Sequence, residues 1–221
     1  NEGIFEPYLS PELSRVRPDL LFDPSGLVTP VDVGYVLPNI DTAWFEGRGL
    51  ALPTTLESLA DPRYRGLTVV ENPASSSPGL AFLLATVARF GDPEAGIEGT
   101  HAGFDDWLEF WAALVENDVA VADGWTDAYY TVFTRYGGDR PVVLGYATSP
   151  AAEVIFAEEP LEEAPTANLQ CSGCAYRQVE GVGILAGTKN REAHCYPLLQ
   201  FRETVQDLGL LRKNKGQLLL T

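Results

Sequence analysis

The chain has 221 residues, 45% of them hydrophobic, and 15 Lys/Arg against 31 Asp/Glu give a net charge of −16. That size and apolar content suit one sizeable core or two smaller lobes, while the acidity argues against nucleic acid as a partner and favours a cationic or neutral ligand. No run approaches the roughly 20 apolar residues needed to span a bilayer, and Asn1 does not open a basic, apolar secretion signal.

The opening, NEGIFEPYLSPELSRVRPDLLFDPSG, is rich in Pro and turn formers and reads as the middle of something. TPVDVGYVLPNID (29–41) is β-branched and predicts a strand or a crossing segment between lobes. In PTTLESLADPRYRG the Thr54-x-x-Glu57 spacing is a capping signal for a short helix, ended by a turn at Asp61-Pro62.

GLTVVEN (66–72) predicts a short strand, followed by the cluster Ser75-Ser76-Ser77 and then PGLAFLLATVARFG (78–91). Leu80, Leu83, Leu84 and Val87 recur at helical spacing, with Phe82 and Phe90 widening the stripe. Ser77 is placed as the N-cap, Pro78 follows where its missing N–H costs nothing, and Gly91 is the stop. GFDDWLEFWAALVEND (103–118) predicts an amphipathic helix burying Phe104, Trp107, Leu108, Trp111, Leu114 and Val115. Asp105 and Asp106 fall in its first turn, where the dipole favours them.

DVAVAD (118–123) alternates like a half-buried strand, and GWTDAYYTVFTRYGG (124–138) predicts a helix from Thr126 to the glycine pair. PVVLGYATSP (141–150) reads as a strand running into a turn, and AEEPLEEAPT (157–166) as an exposed acidic loop. YRQVEGVGILAG (176–187) suits a strand, and TKNREAHCYPLLQFRETVQDLG a helix that Pro197 ought to disturb. Strands alternating with helices predict an α/β architecture. The acidity is uneven along it: residues 1–200 carry 11 basic against 29 acidic side chains, and residues 201–221 carry 4 against 2.

Three strand ends carry candidate chemistry. The serine cluster with Gly79 is either a plain helix cap or an anion site, where unpaired amides and the dipole end face a ligand. It has neither the Gly-Lys-Ser/Thr of a P-loop nor a dinucleotide glycine pattern. Trp125, after DVAVAD, either packs on a core edge or offers its face to a ligand, and Tyr146 is ambiguous in the same way. Open α/β sheets bind ligands beyond the carboxyl ends of their strands, so the three strengthen one another.

Tyr129 and Tyr130 could ligate a hard cation such as ferric iron, against the alternative that one faces the core and the other solvent. Cys171-Ser-Gly-Cys174, with His194 and Cys195 further on, allows zinc or a disulfide, but incidental thiols are favoured, and a redox role ranks low. An enzyme is not expected: there is no G-x-S-x-G elbow and no H-E-x-x-H, and His101 and His194 lie in no recognisable acid/base setting. Neither a metal nor a cofactor is expected.

LTVVENPASSSPGLAFLLATVARFG, VAVADGWTDAYYTVF, PVVLGYATSPAAEV and RQVEGVGILAGTKN, in this order, resemble the thiamine-binding solute receptors of bacterial ABC importers, members of the type 2 periplasmic binding proteins. The resemblance runs over roughly residues 5–192, with TPVDVGYV and LPTTLESLADPRYRG also fitting. It implies two lobes of mixed sheet with flanking helices, closing on thiamine (vitamin B1), its monophosphate or its diphosphate. It further implies a periplasmic or extracellular membrane-associated location and delivery to the membrane permease of an ABC importer, with a ferric or other small-solute receptor as the alternative within the fold. Ser75, Ser76, Ser77 and Gly79 would then meet the hydroxyl or phosphate end, and Trp125 and Tyr146 would line the same pocket.

Residues 1–40 would be a remnant of the first lobe with a crossing strand, 41–160 the second lobe, and 161–221 the return crossing with the C-terminal part of the first lobe. The family pattern places about a hundred residues, the size of a small domain, ahead of this text, so the first lobe is expected to be incomplete. Ala152 stands where some relatives have an aromatic residue, and the text drifts from the family after Lys189-Asn190.

Overall fold

The structure, a computed structural model, describes residues 3–100, 103–187, 211–214 and 217–220. The chain divides into two compact units, one of residues 1–31 with 181–221 and one of residues 32–180. His101, His194, Cys195, Pro197 and the helix expected over the TKNREAH run lie outside the described residues.

In the first unit, β1 (Phe5–Glu6) pairs antiparallel with the strand Ile184–Leu185. Leu211–Asn214 and Gln217–Leu220 form an antiparallel pair.

The second unit is built on a mixed sheet. Its strands are β2 (Thr29–Asp41), β3 (Thr68–Glu71), β6 (Ala120–Ala122), β7 (Val142–Tyr146) and β8 (Thr166–Asn168), with β9 (Tyr176–Val182) paired to β2. Across the sheet the order is β6-β3-β7-β2-β8. β3 runs parallel to β6 and β7, while β2 runs antiparallel to β7 and β8. A small hairpin of β4 (Gly91–Asp92) and β5 (Ile97–Glu98) lies between β3 and β6 in the chain. The strand beginning at Ile184 is β10, and the last two are β11 and β12. Helices α1 (Thr42–Arg48), α2 (Ser77–Phe90), α3 (Trp107–Glu116), α4 (Trp125–Asp127) and α5 (Ser149–Ile155) follow or precede the strands. The α/β expectation holds.

Strand alternation splits the sheet into two faces. Val36, Ile40, Val70, Val142 and Leu144 pack with Phe82, Phe90, Phe110 and Leu114 of α2 and α3. Burying each of these phenylalanines contributes about 1.5–3 kcal/mol. Val69, Ala122 and Val143 point the other way, against Ala128, Tyr129 and Phe133.

The two long helices bury only part of the stripes their spacing predicts. On α2 Phe82 and Phe90 are buried as expected, together with Pro78, Gly79, Ala81, Ala85 and Thr86, while Leu80 and Leu84 stay 45% and 41% exposed. At the helix start Gly79 packs so closely on β3 that a Cβ there would collide with the Glu71 carbonyl, so this position of α2 requires glycine. On α3, Phe110 and Leu114 are buried, and Leu108 and Val115 are exposed. Phe110 is held inward by stacking on Phe90 at 4.6 Å between centroids.

Two caps depart from their expected places. Ser76, not Ser77, caps α2, accepting the Gly79 N–H at 3.4 Å. The 3₁₀ turn Glu57–Ala60 has Leu56, not Thr54, at its N-cap and no side-chain cap; the Thr55 hydroxyl just ahead accepts from the Ser58 N–H, and Glu57 pairs with Arg89 at 2.6 Å. Gly91 ends α2 with φ of 86°, as its position predicts. Asp106 caps α3 by accepting the Glu109 N–H, and Glu109 accepts in return from the Asp105 N–H. YATSP runs into α5, which the turn signal did not anticipate. Cys171 and Cys174, expected as incidental thiols, form a disulfide, their Cα atoms 5.5 Å apart.

Candidate functional site

The carboxyl ends of β3, β6 and β7 lie at one edge of the mixed sheet, and each is followed by a residue group singled out in the sequence. After β3, Ser75 N–H and Ser76 N–H both donate to Asn72 O, which folds the serine loop into a tight turn. Gly79 is buried, its N–H bound to the cap. Much of the backbone that might have met an anion is therefore engaged locally. Ser77 stays exposed at the helix start, and its amide has no partner among the described residues. The Ser75 hydroxyl donates to Asp123 O at 2.7 Å, tying this loop to the one that carries Trp125.

Trp125 opens α4, with Gly124 at the N-cap, and the helix passes at once into a π-turn over Ala128–Val132. The helix expected to run from Thr126 to the glycine pair is thus broken at Phe133, whose N–H donates to Ala128 O five residues back. That wider turn has a consequence. Tyr129 stacks on Trp125 at 4.9 Å and Tyr130 meets it edge-on at 5.5 Å, so residues four and five ahead both touch the indole. Tyr136 joins through Tyr130 at 4.9 Å, and Tyr146, from the end of β7, lies 6.0 Å from Trp125. Sequence reasoning paired Trp125 with Tyr146 but missed Tyr136. Its only signal was an aromatic residue just before a glycine pair.

These rings line a cavity of about 510 Å³, within the roughly 300–1,000 Å³ range of small-molecule clefts. Ala152, Phe156 and the acidic residues Glu153, Glu158 and Glu159 also line it, together with Arg135, which pairs with Glu153. Ser75, Ser76 and Ser77 are not part of this lining; they connect to it through the Ser75–Asp123 hydrogen bond.

Glu153 organises the floor. Its Oε1 accepts from the Tyr129 hydroxyl at 2.6 Å and the Thr166 hydroxyl at 3.0 Å, and its Oε2 from Arg135 Nε at 3.2 Å. Burial, and then the hydrogen bond to Glu153, push the Tyr129 hydroxyl well above its ordinary pKa, which sets a cost against its ionising for a ferric ion. Tyr130 is 47% exposed. Tyr136 is also raised, by burial and then by the Glu153 charge. Tyr146 is raised by burial and by the charges of Glu180 and Glu71. Among the described residues no group of three or more His, Cys, Asp or Glu side chains could hold a metal ion.

Comparison with known proteins gives this geometry a context. The profile of the bacterial extracellular solute-binding protein family matches residues 1–153. The thiamine-binding periplasmic protein of Escherichia coli K12 is 30% identical over 140 residues, 63% of this chain and 37% of that protein. Its namesake in Salmonella typhimurium LT2 is 29% identical over 165 residues, 74% of this chain and 42% of that one. The chain therefore spans less than half the length of these relatives. Among solved structures, a periplasmic thiamin binding protein superposes with a TM-score of 0.63 at 26% identity, covering 90% of this chain and 54% of the other. AfuA of Actinobacillus pleuropneumoniae, solved with fructose-6-phosphate bound, shares the fold at a TM-score of 0.66 and 21% identity, covering 94% and 61%.

Proposed function

Because the chain belongs to the bacterial extracellular solute-binding protein family, with the type 2 periplasmic binding fold, we propose that it is the ligand-holding part of a receptor for thiamine or its phosphate esters. The observation that carries this reading is the set of rings from Trp125, Tyr130, Tyr136 and Tyr146 gathered around one cavity that three acidic residues also line. Thiamine carries a permanent positive charge on its thiazolium ring. An aromatic face stabilises such a charge by about 0.5 kcal/mol when exposed and about 2 kcal/mol when desolvated. The acidic wall and the net charge of −16 raise the local concentration of a cation.

Trp125 and Tyr146 are the proposed walls for the ring. Ser77, at the exposed start of α2, and the adjoining Ser75, Ser76 and Gly79 form the proposed corner for the hydroxyl or phosphate end, where the helix dipole favours an anion. The chemistry required is binding and release by closure of two lobes, with residues 41–160 as the intact lobe. In this reading the receptor works outside the cytoplasmic membrane and hands its ligand to an ABC permease.

Titrating the protein with thiamine while following tryptophan emission tests the reading. Quenching that saturates, and that Trp125→Ala abolishes, is the expected result. No response from this chain, or from a version extended to the length of its relatives, would overturn it.

A further inference from the structure

The face of the sheet that carries Tyr129 and Trp125 also carries a buried acid with no role in the proposed binding of thiamine. Glu71 is the last residue of β3 and is 0% exposed, yet neither of its carboxyl oxygens has a hydrogen-bond partner among the described residues. Trp125 Nε1, also buried, has none either. Alternation along β3 puts Glu71 on the same face as Val69, whose cluster includes Ala122, Tyr129 and Trp125, and one pleat nearer the carboxyl edge.

Its electrostatic surroundings are short of positive charge. The Tyr146 hydroxyl on β7 feels the Glu71 charge, and Glu180 on β9 acts on that same hydroxyl. Tyr129, from the π-turn, already gives its hydroxyl to Glu153. Asp123, just beyond β6, adds a further acid to this edge. Only the residue's own backbone amide opposes the effect of burial on Glu71. A core position filled for packing alone would be better served by Leu, because burying a carboxyl group without a partner costs free energy even when it is neutral.

We propose that Glu71 is the charge-selecting residue of this site, supplying the counter-charge to a cation seated against Trp125 and Tyr146. The inference rests on the thiamine-class reading and adds to it the residue that discriminates by charge. In the empty protein burial holds the carboxyl neutral, its pKa pushed up to about 8. Glu71 does not itself line the cavity, but its charge acts on the hydroxyl of Tyr146, which does, so a permanent cation seated against Tyr146 favours the carboxylate and releases the Glu71 proton to solvent. The balance is one cation in and one proton out, which leaves the charge of the pocket unchanged.

Calorimetric titration with thiamine near neutral pH, repeated in two buffers of different ionisation heat, counts that proton on the unmodified protein. Release approaching one proton per thiamine is expected, with affinity rising by up to about tenfold per pH unit below about pH 8 and flat above it. Glu71→Gln should abolish both effects and weaken thiamine about tenfold or more at the plateau. It should bind the neutral 4-methyl-5-(2-hydroxyethyl)thiazole no more weakly than the parent does. Thiamine bound equally by parent and Glu71→Gln, with no proton released from the parent, would overturn the role of Glu71 and leave the thiamine reading standing. Thiamine bound by neither would overturn both. The proton count needs no variant, so a folding defect in Glu71→Gln would not decide the matter.

Discussion

The two faces of the mixed sheet solve different problems. The face covered by α2 and α3 is a core of interlocking phenylalanines and aliphatic side chains. The other face carries Tyr129 and Phe133, with Trp125 packed at its edge, and it holds the Glu71 carboxyl group, which has no hydrogen-bond partner among the described residues. Stray unpaired atoms occur on the first face as well, at Thr68 Oγ1 and in the first turn of α3 at Trp107 Nε1. Those are neutral groups. An unpaired acid becomes far more expensive once it ionises, and this one shares its sheet face with Tyr129 and Trp125. Packing fills one face to hold the sheet together, and the opposite face keeps a costly group at a place where a ligand could use it.

The largest effect that separates the faces should come from Phe110→Ala. It removes a fully buried ring that stacks on Phe90 and should cost about 3–5 kcal/mol in urea unfolding. Thiamine quenching of Trp125 should survive wherever the variant is folded. Loss of the quenching in a folded variant would break the separation of the two faces.

Second comes the pH dependence of stability. The folded protein holds a proton on Glu71 up to about pH 8, whereas the unfolded chain gives it up near the ordinary value of 4.5. The folded state therefore binds the extra proton between these values, and its stability falls as pH rises through that window, by up to about 1.4 kcal/mol per pH unit. Unfolding curves across that range should show the decline in the parent and a flatter profile in Glu71→Gln. Identical profiles would place the group outside the buried pocket.

Smaller still, Ser75→Ala removes the hydrogen bond to Asp123 O and should cost about 1 kcal/mol, with weaker thiamine binding because the Trp125 loop loses its tether. The smallest expected change is at Leu84→Gln. Although the leucine pattern assigns it to the core, it is 41% exposed, and its replacement should shift stability by about 0.5 kcal/mol or less. A loss of several kcal/mol would mean that another surface covers this side of α2.

Much of the plan was legible along the chain because it is local. β2 runs over Thr29–Asp41 as its β-branched, proline-bounded text predicts, and α2 stops at Gly91 because a left-handed φ there suits glycine. The same local logic placed Trp125 and Tyr146 after strands, and they are brought within 6.0 Å of each other. Tyr136 was missed because its approach to the cluster depends on a π-turn, and no residue spacing announces one. On α2 Phe82 and Phe90 turn inward as their spacing predicts, whereas Leu80 and Leu84, favoured by hydrophobicity alone, stay exposed while Ala81 and Ala85 are buried.

The order of strands and helices, the approximate places of the caps and the family likeness were therefore determined by the sequence itself, since each depends on neighbours within a few residues or on matching text. Which residues of α2 and α3 are buried, and the burial of Glu71 without a partner among the described residues, were decided only by the tertiary structure. Burial belongs to whatever packs against a residue from elsewhere in the chain, so an acid at the end of a strand reads as ordinary until the opposing surface removes its water and supplies no partner.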